Sequence, residues 1–478
     1  MVAKPTPTSG KFRLGSRGAA RIGMQTAPFF VDGMAADGVA GVPWVEHGST
    51  RQRAEPMAAK TRLELGALSA LAAMACGAPA VSGQTIVADS GARSIIVALS
   101  YTGELVQNAG GGARRGATVP GAAGVELTLR LGRLVGWHGA RIFVFALGTH
   151  GGAPSDLVGD VQGVSNLEAP AEVRMEEAWL QQNLLGNRLS LLAGRYDLNT
   201  EFYRLQSGAL FINSSFGIGP ELAQSGAGGP SIFPNTAVGT RVDFKPSPNV
   251  VWRAAILDGV PVDRPGNGSR LFAPGDGALL IGEVALLARP DTAGMPRQRR
   301  FRIGRGLARP YSGKLALGAW YYTARFPDLV ATLPDGAPVR HRGSGGAYLI
   351  GDQTVWSRGR GRPGALTAFA QLGLGDGRVN QIGGYLGGGL TFTAPFPSRA
   401  QDELGLAVAA ARNGSSYERA QAVAGTPAAG ETTVELTYLA QLGSWLAVQP
   451  DVQYVIHPGG TRAARNAVVL GLRIAVSH

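Results

Sequence analysis

Between Arg195 and Pro220 the chain interleaves groups that exchange hydrogen bonds with hydroxyls, Arg195, Asp197, Asn199, Glu201 and Arg204, with the rings of Tyr196, Phe202, Tyr203, Phe211 and Phe216. Charged donors and acceptors beside flat apolar faces suit a sugar, whose hydroxyl edge and C–H face make opposite demands. The mixture suits neither a buried core nor a plain solvated loop. The segment follows an alternating run, Arg188–Arg195, and opens the longest connection in the chain, reaching about Thr236. Connections of that length inside a compact protein are functional or disordered, and the aromatic content here argues for order.

The rest of the chain must position this stretch, and its composition narrows how. The 478 residues include 71 glycines, 16% charged residues and 45% hydrophobic ones, and the mean hydropathy is close to zero. That profile fits neither a disordered chain nor a helical membrane protein, whereas a β-barrel of this length is a single unit. The net charge of +12 raises the question of nucleic acid, but most basic residues stand singly within alternating segments. The one dense run, Arg297-Gln-Arg-Arg-Phe-Arg302 with Arg305 and Arg309, falls in a connection. It reads as a solvated basic loop, and no nucleic-acid partner is expected. Cys76 is the single cysteine, so no disulfide and no cysteine metal site is expected.

Lys60 and Arg62 precede the apolar run Leu65–Ala75, which ends in Cys-Gly-Ala-Pro-Ala80-Val-Ser82. A basic start, an apolar centre and small residues at A-x-A spacing predict a secretory signal over 57–82, cleaved after Ala80 or Ser82. An export signal belongs at the start of a chain, so translation is expected from Met57, with 1–56 an extension that is not translated. A single anchoring helix and a lipoprotein acylated at Cys76 compete with this reading; the run is short for a span, and Ala73-Met-Ala75 is a poor lipobox.

From Arg93 onward the hydrophobic period is two. Val125, Leu127, Leu129 and Leu131 alternate with Glu126, Thr128 and Arg130; Thr240, Val242 and Phe244 alternate with Arg241, Asp243 and Lys245. Strict alternation predicts strands with two unlike faces. An Arg or Lys facing lipid at the bilayer midplane costs about 2–4 kcal/mol, so the charged face must look into a polar, wet lumen. Such runs number about sixteen, an even count in the range that leaves an aqueous channel. They lie near 93–102, 125–131, 141–150, 173–182, 188–195, 238–245, 249–258, 278–287, 312–323, 345–356, 364–373, 381–393, 402–411, 431–441, 444–455 and 467–477. Pro450 removes a ladder hydrogen bond and is expected to distort its strand. Connections alternate between short, such as Pro246-Ser-Pro248, and long, such as Thr200–Thr236; the basic connection 289–310 departs from that alternation. The predicted fold for 83–478 is all-β: a transmembrane antiparallel β-barrel.

Several separated motifs, in order, resemble the OprB family of carbohydrate-selective outer-membrane porins: Tyr101-Thr-Gly-Glu104 with Gly110-Gly-Gly112, Gly136-Trp-His-Gly139, Asp160-Val-Gln-Gly-Val-Ser-Asn-Leu-Glu-Ala-Pro170 and Trp179-Leu-Gln-Gln-Asn-Leu-Leu185. Further along stand Gly194-Arg195 with Glu201-Phe202, Phe211-Ile-Asn-Ser-Ser-Phe-Gly217, Asp258-Gly259, and Gln449-Pro-Asp-Val-Gln-Tyr454 with Pro458-Gly-Gly460. The likeness runs from about Tyr101 to the end, although the chain finishes in His478 where outer-membrane proteins usually end in Phe. It implies a sixteen-stranded barrel in the outer membrane of a Gram-negative bacterium, with a long loop folded inward to narrow the channel, passing glucose and related sugars by passive diffusion. Its expected partners are monosaccharides or small oligosaccharides, outer-membrane lipid and the barrel-assembly machinery, with the barrel a monomer or a homotrimer.

Other chemistry fails on spacing. The glycine-rich run Gly373-Leu-Gly-Asp-Gly377 lacks the βαβ context of a phosphate loop and reads as a strand-to-loop turn. The six histidines, His47, His138, His150, His341, His457 and His478, have no metal-ligand spacing, and no Gly-x-Ser-x-Gly elbow occurs. No cofactor, metal or catalytic residue is expected. Asp197 and Glu201 imitate a glycosidase pair, but ion pairing with Arg195 and Arg204 is the plainer role. The residues assigned to the channel lining are therefore Arg195, Asp197, Asn199 and Glu201 at the constriction, with Glu126, Arg130, Arg241, Asp243 and Arg253 as charged wall partners, and Tyr196, Tyr203 or Trp137 as stacking surfaces. Trp252, Trp320, Trp356 and Trp445 read as interfacial girdle residues. A general or anion-preferring porin is the competing function.

Overall fold

The computed structural model describes residues 93–261, 272–273, 275–288, 311–359, 362–426 and 428–477. The signal and extension expected over 1–82 and the basic connection 289–310 lie outside them. In chain order the strands are β1 (Ile95–Gly110), β2 (Gly116–Thr118), β3 (Gly121–Arg130), β4 (Ala140–His150), β5 (Glu172–Leu184), β6 (Leu189–Tyr196), β7 (Ala237–Ser247), β8 (Val250–Asp258) and β9 (Ala278–Ala288). They continue with β10 (Gly313–Thr332), β11 (Pro338–Ser357), β12 (Ala365–Gly375), β13 (Ile382–Thr393), β14 (Glu403–Asn413), β15 (Glu431–Gln441), β16 (Leu446–Ile456) and β17 (Ala467–Ser477). Each long strand pairs antiparallel with its neighbours in sequence, and β1 pairs with both β3 and β17. The sheet is thus a closed barrel of sixteen long strands, with the three-residue β2 added beside the end of β1. Closure leaves no ladder edge unpaired in lipid, where each open N–H or C=O would be costly.

The alternation read from the sequence sets the faces. On β17, Val468, Leu470, Leu472 and Ile474 are 38–43% exposed while Val469 and Ala475 are buried. On β7, Val242 faces out and Arg241 and Asp243 are buried. Pro450 sits in β16 opposite Leu472 without a register shift; the ladder to β15 simply lapses between the Thr437–Asp451 and Ala440–Val448 pairs. Trp252, Trp356 and Trp445 are about half exposed on the outside, as a girdle requires. Trp320 is not a girdle residue: it faces inward, is 4% exposed and stacks on Tyr348.

The lumen departs from a uniformly polar, wet interior. Phe143, Phe145 and Leu147 of β4, Trp179 of β5, Ile350 of β11 and Phe369 of β12 all point inward and are buried. The connection 197–236 brings Leu198, Phe202, Leu205, Leu210, Phe211, Phe216 and Leu222 into one apolar cluster with inward residues of the wall. The long loop is therefore folded inside the barrel, as expected, but it is held by packing as well as by charge. Strands β10 and β11 run to 20 residues each, well past the neighbouring strands, and meet in a protruding hairpin.

Candidate functional site

The inserted loop starts where β6 ends. Asp197 caps the first short turn, its Oδ1 accepting the Asn199 N–H at 2.8 Å. Asn199 then donates to the carbonyls of Phe202 and Gly217 at 3.2 and 3.1 Å, tying the two limbs of the loop together. These two residues shape the loop. Arg195 departs from its expected place at the constriction, because it leaves β6 in the outward register shared by Leu191 and Ala193 and donates to the Thr236 carbonyl at 2.9 Å.

Glu201 is the loop residue that meets the wall charges. The Arg241 guanidinium grips it as a fork, Nε to Oε2 at 2.8 Å and Nη2 to Oε1 at 2.9 Å, while Tyr196 donates its hydroxyl to Oε2 at 2.8 Å. Burial pushes this carboxyl up, but Arg253 and Arg241 pull it down to about 2, so it is ionised at neutral pH. Arg253 donates to the Glu201 carbonyl at 2.8 Å and to Asp243 Oδ2 at 2.7 Å, and it covers the Phe202 ring at 5.6 Å. The series continues around the wall through Glu283, 3.7 Å from Arg253, to Lys314, 3.1 Å from Glu283. Acid and base alternate from strand to strand because Asp243, Arg253 and Glu283 occupy paired positions on β7, β8 and β9. Such pairing is what makes buried charge tolerable.

This belt gathers Glu201, Arg241, Asp243 and Arg253 from the residues expected at the site. Glu126 and Arg130 share the inward register of β3, nearer the short-turn end, and are half-buried. Tyr196 and Tyr203 are buried, the latter packed against Tyr348 at 4.3 Å between ring centres, so neither presents a face for stacking. Trp137 is half exposed in the connection between β3 and β4.

Sequence reasoning missed a second set of inward side chains, those that seat the loop backbone. Glu435 accepts the N–H groups of Ile212 and Asn213 at 2.7 and 3.0 Å. Asp352 accepts those of Gln206 and Ser207 at 3.1 and 3.3 Å, and Glu283 accepts that of Tyr203 at 3.0 Å. Gln449 donates to the Leu210 carbonyl at 2.7 Å and Gln371 to that of Phe216 at 3.1 Å. The connection between β4 and β5 is seated alike: Glu431 accepts Val161 and Gln162 N–H at 2.9 and 3.0 Å, and Gln453 donates to the Val164 carbonyl at 2.8 Å. The usable signal is a lone polar residue at an inward position of an otherwise apolar strand, as Glu283 is in β9.

A closed antiparallel barrel with an apolar outer band, a charged inner belt and a long loop packed inside defines a diffusion porin of the outer membrane. The family model for carbohydrate-selective porins of the OprB family matches residues 114–477. Porin B of Pseudomonas aeruginosa is 26% identical over 416 residues, covering 79% of this chain and 86% of that protein. The high-pH structure of Pseudomonas putida OprB superposes with a TM-score of 0.70 at 22% identity, covering 80% of this chain and 94% of that one, and shows the same fold. The chain belongs to the OprB family of carbohydrate-selective porins and is a sugar-selective channel of the outer membrane.

Proposed function

We propose that sugars pass along the partly exposed edge of the charged belt, with Glu201 accepting and Arg253 donating hydrogen bonds to sugar hydroxyls, and with Glu126 and Arg130 taking over toward the short-turn end. The observation that carries this reading is the balance of the belt. Its acids Glu201, Asp243 and Glu283 face the bases Arg241, Arg253 and Lys314 in mutual ion pairs, and the half-exposed Lys245 stands 3.6 Å from Asp243 at its edge. Ions paired in this way exert little net pull on a passing ion but keep strong, fixed donors and acceptors for hydroxyls. Side-chain exposures of 26% for Glu201 and 14% for Arg253 leave both reachable from water. The exchange of water for protein hydrogen bonds stays weak enough for release, as conduction requires. The protein then acts as a passive channel without chemistry of its own.

Liposome swelling with glucose, sucrose and a size-matched amino acid, alongside ion selectivity in planar bilayers, tests the assignment. Glucose is expected to outpace the amino acid, and Glu201→Gln to slow glucose more than it lowers bulk conductance. Uptake that follows molecular size alone would favour a general porin. A strong preference for chloride would favour an anion channel.

A further inference from the structure

The outward face of the hairpin formed by β10 and β11 carries three exposed arginines, Arg325, Arg340 and Arg342. A register shift after Tyr322 brings Arg325 directly opposite Arg342, with Arg340 opposite Pro327 two residues along. Like charges directly opposed across a sheet destabilise it. Among the described residues no acid forms an ion pair with Arg325, Arg340 or Arg342, although Asp276 lies in the loop beside Ala324. Asp328 bonds His341 at 2.8 Å on the inner face of the hairpin, where Phe326 is buried. Asp376 is held by its own fork to Arg378, and Asp335 accepts the Ala337 N–H in the turn. Arg340 spends one nitrogen on the Arg325 carbonyl at 2.8 Å, which ties its side chain across the hairpin to the strand that carries Arg325.

The patch has a definite height. Leu315, Leu317 and Tyr321 face lipid below it on the same strand. From Leu315 to Arg325 a strand of about 3.3 Å per residue tilted by roughly 40° rises about 25 Å, the full depth of the apolar band. The arginines thus stand at the headgroup level of the outer leaflet, immediately above the aromatic position Tyr321.

We propose that Arg325, Arg340 and Arg342 form a binding site for the phosphate groups of an outer-leaflet glycolipid. Guanidinium forks match phosphate oxygens in geometry and charge, and an anion between Arg325 and Arg342 turns their repulsion into a shared contact. The acyl chains of such a lipid continue down the Leu315–Tyr321 face, which a free phosphate cannot use.

The test measures binding of bisphosphorylated lipid A, and of the same lipid stripped of phosphate, to the purified full chain in detergent by native mass spectrometry. The wild type is expected to prefer the phosphorylated lipid by at least about tenfold, and Arg325→Gln/Arg340→Gln/Arg342→Gln to reduce that preference to about twofold or less, with glucose-driven swelling unchanged. Swelling also certifies that the variant is a folded barrel. Should it fail to fold, the Lys variant at the same three positions retains charge without the fork and is expected to keep only part of the preference. Equal retention of both lipids by the wild type, undiminished preference in either variant, or full displacement of the lipid by inorganic phosphate at equal phosphate concentration would each overturn the assignment.

Discussion

Replacing Glu435 by Ala isolates what seats the inserted loop. Glu435 is fully buried on β15, and its two oxygens accept the N–H groups of Ile212 and Asn213 at 2.7 and 3.0 Å. Truncation leaves two buried donors without acceptors, each at a cost of about 1–3 kcal/mol, or roughly 2–6 kcal/mol together. The barrel wall keeps its own ladder, so the loss falls on the loop, which opens more often. A local cost near the middle of that range, about 4 kcal/mol, raises the open population by roughly a thousandfold, since each 1.4 kcal/mol is about a factor of ten. Amide hydrogen exchange at Ile212 and Asn213 reads this directly, because exchange tracks local opening. Glu435→Gln retains one acceptor and is expected to fall between the wild type and the Ala variant. Exchange at both amides that stays within about twofold of wild type in the folded Ala variant would refute the idea that wall side chains hold the loop down.

Other perturbations follow from the same geometry. Burial pushes Glu221 up to about 7 from 4.5, against its own backbone N–H and the Tyr203 hydroxyl. The native loop therefore binds this proton more tightly than the unfolded chain does: stability from it is complete below about pH 4.5 and is lost as pH rises through about 7, a contribution of about 3 kcal/mol. Exchange of the loop amides is expected to be slower at pH 5 than at pH 8 after correction for intrinsic rates, and Glu221→Gln should flatten that dependence. A Cβ at Gly373 would collide with Glu221 Oε1, so Gly373→Ala is expected to unseat that side chain at a cost of about 1–3 kcal/mol, seen as faster exchange near 221. Val242→Arg puts a cation on the lipid face at mid-strand and should cost about 2–4 kcal/mol in urea unfolding from vesicles. Arg195→Ala, acting at the rim, should leave glucose swelling unchanged.

The barrel is legible because its constraint is local. A strand between lipid and lumen must alternate, and each of the runs picked out from period two is a long strand in the structure. What escapes lies where the inner face meets protein instead of water. Leu279 and Ile281 of β9 are buried against the inserted loop, so that strand reads as apolar on both faces and its one charge, Glu283, looks incidental. The extensions of β10 and β11 past the membrane carry polar residues on both faces and give no alternation to read. Arg195 is misplaced for a related reason: period two identifies a face only when neighbours on both sides fix the phase, and Arg195 stands at the end of β6.

The motifs that carry the family likeness have a physical account that spacing alone does not supply. Phe211–Gly217 contributes the amides held by Glu435, Asp160–Pro170 contributes those held by Glu431, and Gln449 and Gln453 reach back to the carbonyls of Leu210 and Val164. Segments far apart in the chain therefore meet in one place, as the seat of two inserted loops, and their side chains are occupied by backbone rather than open to a solute. The belt on β7 to β10 holds loop backbone too, with Glu283 at the Tyr203 N–H, Arg253 at the Glu201 carbonyl and Lys314 at the Arg204 carbonyl, but its members also pair with one another, and its Glu201 and Arg253 retain exposed atoms. Glu435 and Glu431 thus only seat the inserted loops, whereas the belt both holds a loop and keeps charged atoms within reach of water. A channel built this way keeps its inserted loops fixed without using its exposed charges up, and selective diffusion demands groups that a solute can both meet and leave.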